Sequence, residues 1–488
     1  MHGRELRISG EFSRTTSFRD PAGRLLIVGN RVLRIINKSA ENDFDAFLAS
    51  NVAKKFAAAG SLVRTDHHLD AGCEALLFDD VERRGFSSEA HSLVEHERIP
   101  FQSFPYEWSP EMLSAAAHLT LDLAESALAE GFGLKDATPY NILFRGPRPV
   151  FVDLLSFERR DERDPIWLAY AQFVRTFLLP LLANQYFGLR LDQLFLTHRD
   201  GLEPEEAYRL CSPLRKLSPP FLTLVSIPRW LAAQHTVSQE NIYSKRRLDR
   251  AKQARYVLER LFKRLRRQLE RVAQPNASRS EWLDYMRLSD DADVNYICQK
   301  QSFVEDALFE FRPRRVLDVG CNTGFFSRLA VRCGASVVAV DQDPAVIGEL
   351  WRQSSAESLD ILPLVVDLTR PSPSVGWRNR ENPSFLNRAR GAFDALLMLA
   401  VVHHMLVTER IPLEEIIDLA AQVTSDLLII EFVAPDDPMF RRLARGRDHL
   451  FQDLTNETFR GACLKRFQIV RARQLARTSR WIYLLKVK

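Results

Sequence analysis

The chain lacks a hydrophobic run long enough to cross a bilayer. Its most apolar stretch, Phe173 to Gly188, is interrupted by Arg175 and Pro180. The opening residues, MHGRELRISGEFSRTTS, have no apolar core, so no secretory leader is expected there. Cysteine pairing is also missing. Cys73, Cys211, Cys298, Cys321, Cys333 and Cys463 are scattered, and no two stand in C-x-x-C spacing. That argues against a zinc site and against a disulfide framework, so no metal site is expected. Charge of one sign is scarce too. Lys and Arg number 67 against 63 Asp and Glu, a net charge of +4, too mild to imply nucleic acid. The expectation is a reduced, soluble, cytoplasmic protein with no nucleic-acid partner. Its 488 residues, 46% of them hydrophobic, suggest two to four globular domains.

What is present is concentrated at VLDVGCNTGFFS, Val316 to Ser327. Val316 to Val319 read as a short buried strand that includes Asp318. Gly320 and Gly324 flank a tight turn, and GFFSRLAVRCG reads as an amphipathic helix stopped by Gly334. Such a turn lets a ligand approach bare backbone and set an anionic group at free N–H donors. Its G-x-x-x-G spacing is not the G-x-G-x-x-G of a dinucleotide site. A second strand, SVVAVD, ends at Asp341, 23 positions after Asp318. That is about where a strand–helix–strand unit delivers an acid to a ribose.

From about Trp282 onward the chain resembles the class I S-adenosylmethionine-dependent methyltransferases. The resemblance implies an α/β, Rossmann-like, seven-stranded sheet with a terminal antiparallel pair. The alternation of elements agrees, since strand–helix repeats build a mostly parallel sheet covered on both faces. After Asp343-Pro344, which reads as a helix cap and first turn, ILPLVVDL is the third strand, ending at Asp367. AFDALLMLAVVHH is the fourth, with Asp394 at its start. IPLEEIIDLAAQVTS is a helix and DLLIIEFV the fifth strand. RFQIV and RWIYLLKVK are joined too closely for a helical crossover, so they should pair antiparallel.

The resemblance also implies site roles. Asp318 would sit near the cofactor's amino group. Gly320, Cys321, Asn322 and Gly324 would pass its methionyl part. Asp341, followed by Gln342, would accept the ribose hydroxyls. Asp367 and Leu368 would lie by the adenine, and Ala400 would border the methyl sulfonium. A lead-in aromatic, Trp282, Tyr285 or Tyr296, would lie over the cofactor. His403 and His404, just past the fourth strand, are the candidate general base, because a hydroxyl acceptor gains from losing its proton as it attacks. The long insertion Pro371 to Arg390 offers Trp377, Arg378, Glu381 and Arg390 to a polar acceptor such as a sugar.

The N-terminal half reads differently. RLLIV-GN-RVLRII is a hairpin turned at Gly29-Asn30. ENDFDAFLASNVAKKFAAAG reads as a helix, and ALLFDDVE and HSLVEHERI as strands. The aromatic connector Ile99 to Trp108 precedes a helix capped by Ser109 and opened by Pro110. Next, LKDATPYNILFRGPRPVFVD spaces Asp136, Asn141 and Asp153 in a way that resembles the catalytic loop of protein-kinase-like phosphotransferases. In that family the first Asp takes the acceptor's proton, the Asn and second Asp hold magnesium, and the connector is a hinge. The departures are a missing glycine-rich loop, Arg34 where a lysine belongs, and D-L-L in place of D-F-G. The expectation is therefore a degenerate, α+β kinase-like scaffold without phosphotransfer.

Arg159 to Ala273 reads as helical. Lys245 to Arg271 carries 12 basic and 3 acidic residues around an apolar stripe. That stripe either packs on its own domain, the favoured reading, or makes weak contact with an anionic membrane surface. The organisation expected is a kinase-like domain over 1–274, with a linker beginning at Gln274, and a methyltransferase domain over 275–488. The function expected is O-methylation, from S-adenosylmethionine, of a polar small-molecule or glycan acceptor. The alternatives are a bifunctional kinase–methyltransferase, an NAD(P)-dependent oxidoreductase, and a non-enzymatic binding module.

Overall fold

Val316, Leu317 and Asp318 are buried because their strand lies mid-sheet, with neighbours on both edges and helices on both faces. A computed structural model describes residues 19–66, 90–234, 247–273 and 291–488. The strand expected over Ala75–Glu82, the linker after Gln274, and Cys73, Trp282 and Tyr285 lie outside these residues.

In the C-terminal half, β9 (Arg315–Val319) pairs parallel with β10 (Ser336–Asp341) and with β12 (Phe393–Met398). β11 (Ile361–Val365) edges β10, and β13 (Thr424–Val433) follows β12. β15 (Arg480–Val487) runs antiparallel to both β13 and β14 (Phe467–Gln474). The order β11-β10-β9-β12-β13-β15-β14 makes a mostly parallel sheet that closes in an antiparallel pair. The strand order reverses direction between β9 and β12, which opens a crevice at their carboxyl ends.

Two local expectations need correcting, and one segment adds elements. The third strand stops at Val365, two residues before Asp367, because Asp367 turns the chain by accepting from Thr369 N and Oγ1. The helix over Glu41 to Gly60 is two helices, Lys38–Ala49 and Asn51–Ala58. Ser50 leaves helical geometry (ψ 157°), and its hydroxyl caps the second helix at Ala53 N. Between β13 and β14 the chain also folds helices Pro438–Ala444 and Asn456–Arg466.

In the N-terminal half, β1 (Gly23–Val28), β2 (Arg31–Asn37), β3 (Thr65–Asp66) and β4 (Ala90–His96) form an antiparallel sheet ordered β1-β2-β4-β3. Two short antiparallel pairs follow, β5 (Phe132–Leu134) with β8 (Phe157–Arg159) and β6 (Ile142–Arg145) with β7 (Arg148–Phe151). Helix Pro110–Ala129 is buried along most of its length. It packs on the basic helix Ala251–Val272 and also on helix Pro344–Glu357 of the C-terminal half. The basic helix turns Leu258, Phe262, Leu265, Leu269 and Val272 inward, so its apolar stripe is used within the protein. Among the described residues no helix is long and apolar enough to cross a membrane.

The two halves share one continuous core. The connector is an interface strap: Phe101, Phe104, Tyr106 and Trp108 are buried, and Glu107, with no exposed surface, binds Arg388 and Ser372 of the insertion. Arg352 donates to Glu111 at 2.9 Å, and the Trp351 indole donates to Pro147 O at 2.9 Å.

Candidate active site

The turn after β9 holds three residues in the left-handed region: Gly320 (φ 67°), Asn322 (φ 50°) and Gly324 (φ 81°). Asparagine tolerates that region because its side chain bonds locally, and here Asn322 Oδ1 accepts from Thr323 N at 2.6 Å. Glycine at 320 has a second reason. A Cβ there would lie 2.2 Å from Val401 Cγ1, so the bare backbone of the turn packs against the Val401 side chain of the loop after β12. At 324 the obstruction is Leu350, behind the turn.

These contacts shape a cavity of about 240 Å³ at the carboxyl ends of β9, β10, β11 and β12. Asp318, Gly320, Cys321, Asn322, Asp341, Gln342, Asp367, Leu368, Ala400, His403 and His404 all reach its wall. Gly324 does not; it caps helix Phe325–Arg332 from behind. Lys300, Phe325, Phe326, Met405, Thr408, Glu409 and Met439 also line it. Of these, Lys300 carried a readable signal, since it stands one helical turn after Tyr296 on the same lead-in helix.

Asp318 is buried and accepts from Ser327 Oγ at 2.6 Å. Burial drives its carboxyl up to about 7, and the charge of Asp341 adds to the rise against the Ser327 bond. Asp341 accepts from Asn322 N at 3.1 Å and Asp343 N at 3.0 Å, which ties the acid to the glycine turn. A carboxylate offers about four lone-pair directions, so both oxygens keep acceptor capacity for a ligand. Asp367 spends Oδ1 on Thr369.

Ala400 adopts φ 56° and turns the chain sharply after β12. Val401 then caps helix Val402–Val407, so both histidines lie inside that helix and neither caps it. His403 is 3% exposed, and its Nδ1 has no hydrogen-bond partner among the described residues. Burial lowers its pKa to about 3, helped by the charge of His404. His404 is half-buried, its pKa lowered by burial, and its ring lies 4.4 Å from that of His403. The near-neutral titration expected of the pair is therefore displaced downward.

His404 also faces a second, larger cleft, of about 1650 Å³. Tyr296 lies in that cleft and not over the first cavity. Its hydroxyl donates to Glu431 at 2.6 Å, and Glu431 pairs with Lys300 at 2.6 Å. The insertion residues are elsewhere. Glu381 pairs with Arg19 and Arg199 of the N-terminal half, Arg390 reaches Gln422, and Trp377 is 62% exposed. Neither Trp377, Arg378, Glu381 nor Arg390 lines either cavity.

In the N-terminal half, Asp136, Asn141 and Asp153 do converge. Asp153 accepts from Arg34 Nη1 and Ser156 Oγ, both at 2.5 Å, and Asn141 Nδ2 donates to Ser156 Oγ at 3.1 Å. Asp136 is raised by burial and by the charge of Asp153. Among the described residues no group of three or more His, Cys, Asp or Glu is arranged to hold a metal ion.

Residues 293–479 match a family model described as a methyltransferase domain. Nodulation protein NoeA of Rhizobium meliloti (strain 1021) is 30% identical over 481 residues, 96% of this chain and 94% of that protein. Among solved structures, the N-methyltransferase NodS from Bradyrhizobium japonicum WM9 is 14% identical. It covers 41% of this chain and 99% of that one, with a TM-score of 0.30. The bifunctional kinase-methyltransferase WbdD is 20% identical, covering 43% of this chain and 42% of that one, with a TM-score of 0.28.

Proposed function

We propose, since this chain belongs to the family of nodulation protein NoeA and carries a class I methyltransferase domain in its C-terminal region, that it methylates a polar acceptor such as a glycan or related metabolite with S-adenosylmethionine. The observation that carries this reading is the single cavity that gathers Asp318, the Gly320–Asn322 turn, Asp341, Asp367 and Ala400 at four adjacent strand ends. The residues fit that donor. A Cβ at Gly320 would collide with Val401 on the cavity wall, Asp318 is a buried acid suited to an ammonium, and Asp341 has acceptor capacity for a diol. Bound there, S-adenosylmethionine supplies an electrophilic methyl on a sulfonium.

The chain's own part is to position and to move a proton. Asp318 would hold the ammonium, Asp341 the ribose hydroxyls, and Asp367 would lie by the adenine. His404, shared by both cavities, stands on the path between donor and acceptor. It would take the acceptor's proton as the acceptor attacks in line, the base's usual share being about a hundred- to ten-thousand-fold in rate. His403, buried against its ring, would hold it in place. Glu431 is a poorer base, pinned by Lys300 and Tyr296 beneath the cleft.

For the N-terminal half, supporting observations favour a kinase-like scaffold without phosphotransfer. The Arg34 guanidinium neutralises Asp153, the acid to which the resembled family assigns magnesium.

A calorimetric panel of S-adenosylmethionine, NAD(P) and magnesium-ATP tests the whole assignment. Binding of S-adenosylmethionine alone is expected. Asp341→Ala should weaken it by about 2–4 kcal/mol through two lost charge-assisted hydrogen bonds. Unchanged affinity in that variant removes the ribose from Asp341.

A further inference from the structure

The cavity assigned to the methyl donor opens past Lys300, Ala400, His404 and Met439 into the larger cleft. Basic groups dominate the cleft wall. Two of them are already spent. Arg480 forks onto Asp437 at 2.7 and 3.1 Å, and Lys300 is paired with Glu431. Five others, Arg410, Arg442, Arg445, Arg447 and Arg477, are exposed on the cleft and pair with no carboxylate among the described residues. The one remaining acid on this wall is Asp436.

The backbone adds an independent observation. Arg410 (φ 56°), Arg445 (φ 50°) and Arg477 (φ 62°) are all left-handed. Glycine would fill such positions without strain. Three separate turns on one cleft carry arginine where the backbone favours glycine. Each of the three carries a local conformational cost, as Arg312 and Arg378 do off the cleft, and Arg445 meets it as the C-cap of helix Pro438–Ala444.

Guanidinium groups are planar, permanently charged and shaped to fork onto tetrahedral or carboxylate oxyanions. The cleft is also larger than the usual site for one small ligand. We propose that the methyl acceptor is an anion, bearing a phosphate or sulfate ester that this arginine wall holds while its nucleophile faces His404. The proposal rests on the methyltransferase reading of the adjoining cavity and names the substrate class for it. The ester belongs either to a soluble sugar or to a lipid headgroup.

The test uses the full chain saturated with S-adenosylhomocysteine. Inorganic pyrophosphate, glucose 6-phosphate and glucose 6-sulfate are titrated by calorimetry at constant ionic strength. Phosphatidylglycerol vesicles against phosphatidylcholine vesicles form a second arm. Saturable binding of the soluble esters assigns a soluble acceptor; binding confined to phosphatidylglycerol assigns a lipid headgroup. The triple variant R410G/R445G/R477G should keep or raise the melting temperature, because it relieves three left-handed turns. It should lose at least tenfold in oxyanion affinity and keep wild-type affinity for S-adenosylhomocysteine. If the triple variant folds poorly, R442Q/R447Q reads the same loss without touching those turns. Oxyanions that bind no better than chloride, or equally well to wild type and variants, overturn the proposal. Cofactor affinity is measured in parallel. Oxyanion binding without cofactor binding sinks the methyltransferase reading and leaves the oxyanion site standing. Cofactor binding without oxyanion binding does the reverse.

Discussion

Asp318 should make cofactor binding depend on pH in a way that can be worked out beforehand. Its carboxyl sits at about 7 because burial disfavours the charge more than the Ser327 hydroxyl, 2.6 Å away, favours it. With that pKa the group is about nine-tenths protonated at pH 6 and about one-tenth at pH 8. The proposed donor brings a cationic ammonium, which requires the ionised acid. Binding at pH 6 should therefore release about 0.9 proton, and at pH 8 about 0.1. Affinity should climb about tenfold per pH unit, or ~1.4 kcal/mol, as pH rises toward 7, and then level off. The sign for folding is the opposite. The folded pKa lies above the ordinary 3.8, so this group's contribution to stability is complete below about 3.8 and is lost as pH rises through about 7. Ligand should consequently stabilise the protein more at pH 8 than at pH 6. The assay is calorimetry with S-adenosylhomocysteine at pH 6 in two buffers of different ionisation heat. Asp318→Asn should bind weakly and show no dependence on buffer heat. Equal wild-type affinity at pH 6 and pH 8, with no proton released, would refute the placement of the ammonium at Asp318.

Three further outcomes are expected. Arg388→Ala leaves Glu107 buried without its guanidinium, which should cost about 3–5 kcal/mol in urea titrations; a loss below about 1 kcal/mol would mean the two halves are not clamped there. His404→Ala should lower turnover by about a hundred-fold or more with cofactor affinity retained. The wild-type rate should fall with acid only below the ordinary histidine range, because burial lowers His404; His404→Ala with wild-type turnover and pH profile excludes it as the base. The whole chain given magnesium-ATP should show no phosphate transfer, because Arg34 engages Asp153; transfer that Asp153→Ala abolishes would restore the bifunctional reading.

Much of the C-terminal half was legible because its information is local. Asp318 and Asp341 could be placed at strand ends from the apolar runs before them. The turn between them was readable from Gly320 and Gly324, and the next helix from Asp343-Pro344. The antiparallel close of the sheet followed from a connection too short for a crossover. The arginine wall of the larger cleft was not legible in the same way. Arg441, Arg442, Arg445 and Arg447 form a visible basic cluster in RRLARGR, yet nothing local ties it to Arg410 or Arg477.

The sequence by itself determined the order of strands and helices, the glycine turn and the acids at the strand ends. Each of these follows from periodicity and turn chemistry within about a dozen neighbouring residues. Tertiary structure alone decided which of those residues share a cavity, since parallel pairing brings together strand ends separated by long crossovers. It also decided that the Pro371–Arg390 insertion grips Glu107 and the N-terminal half, with Trp377, Arg378, Glu381 and Arg390 on neither cavity wall, because complementary charge and burial drew it to a distant strap. And it set the charge states of Asp318 and His403, because burial, which shifts both, is a property of the packed chain and not of any segment.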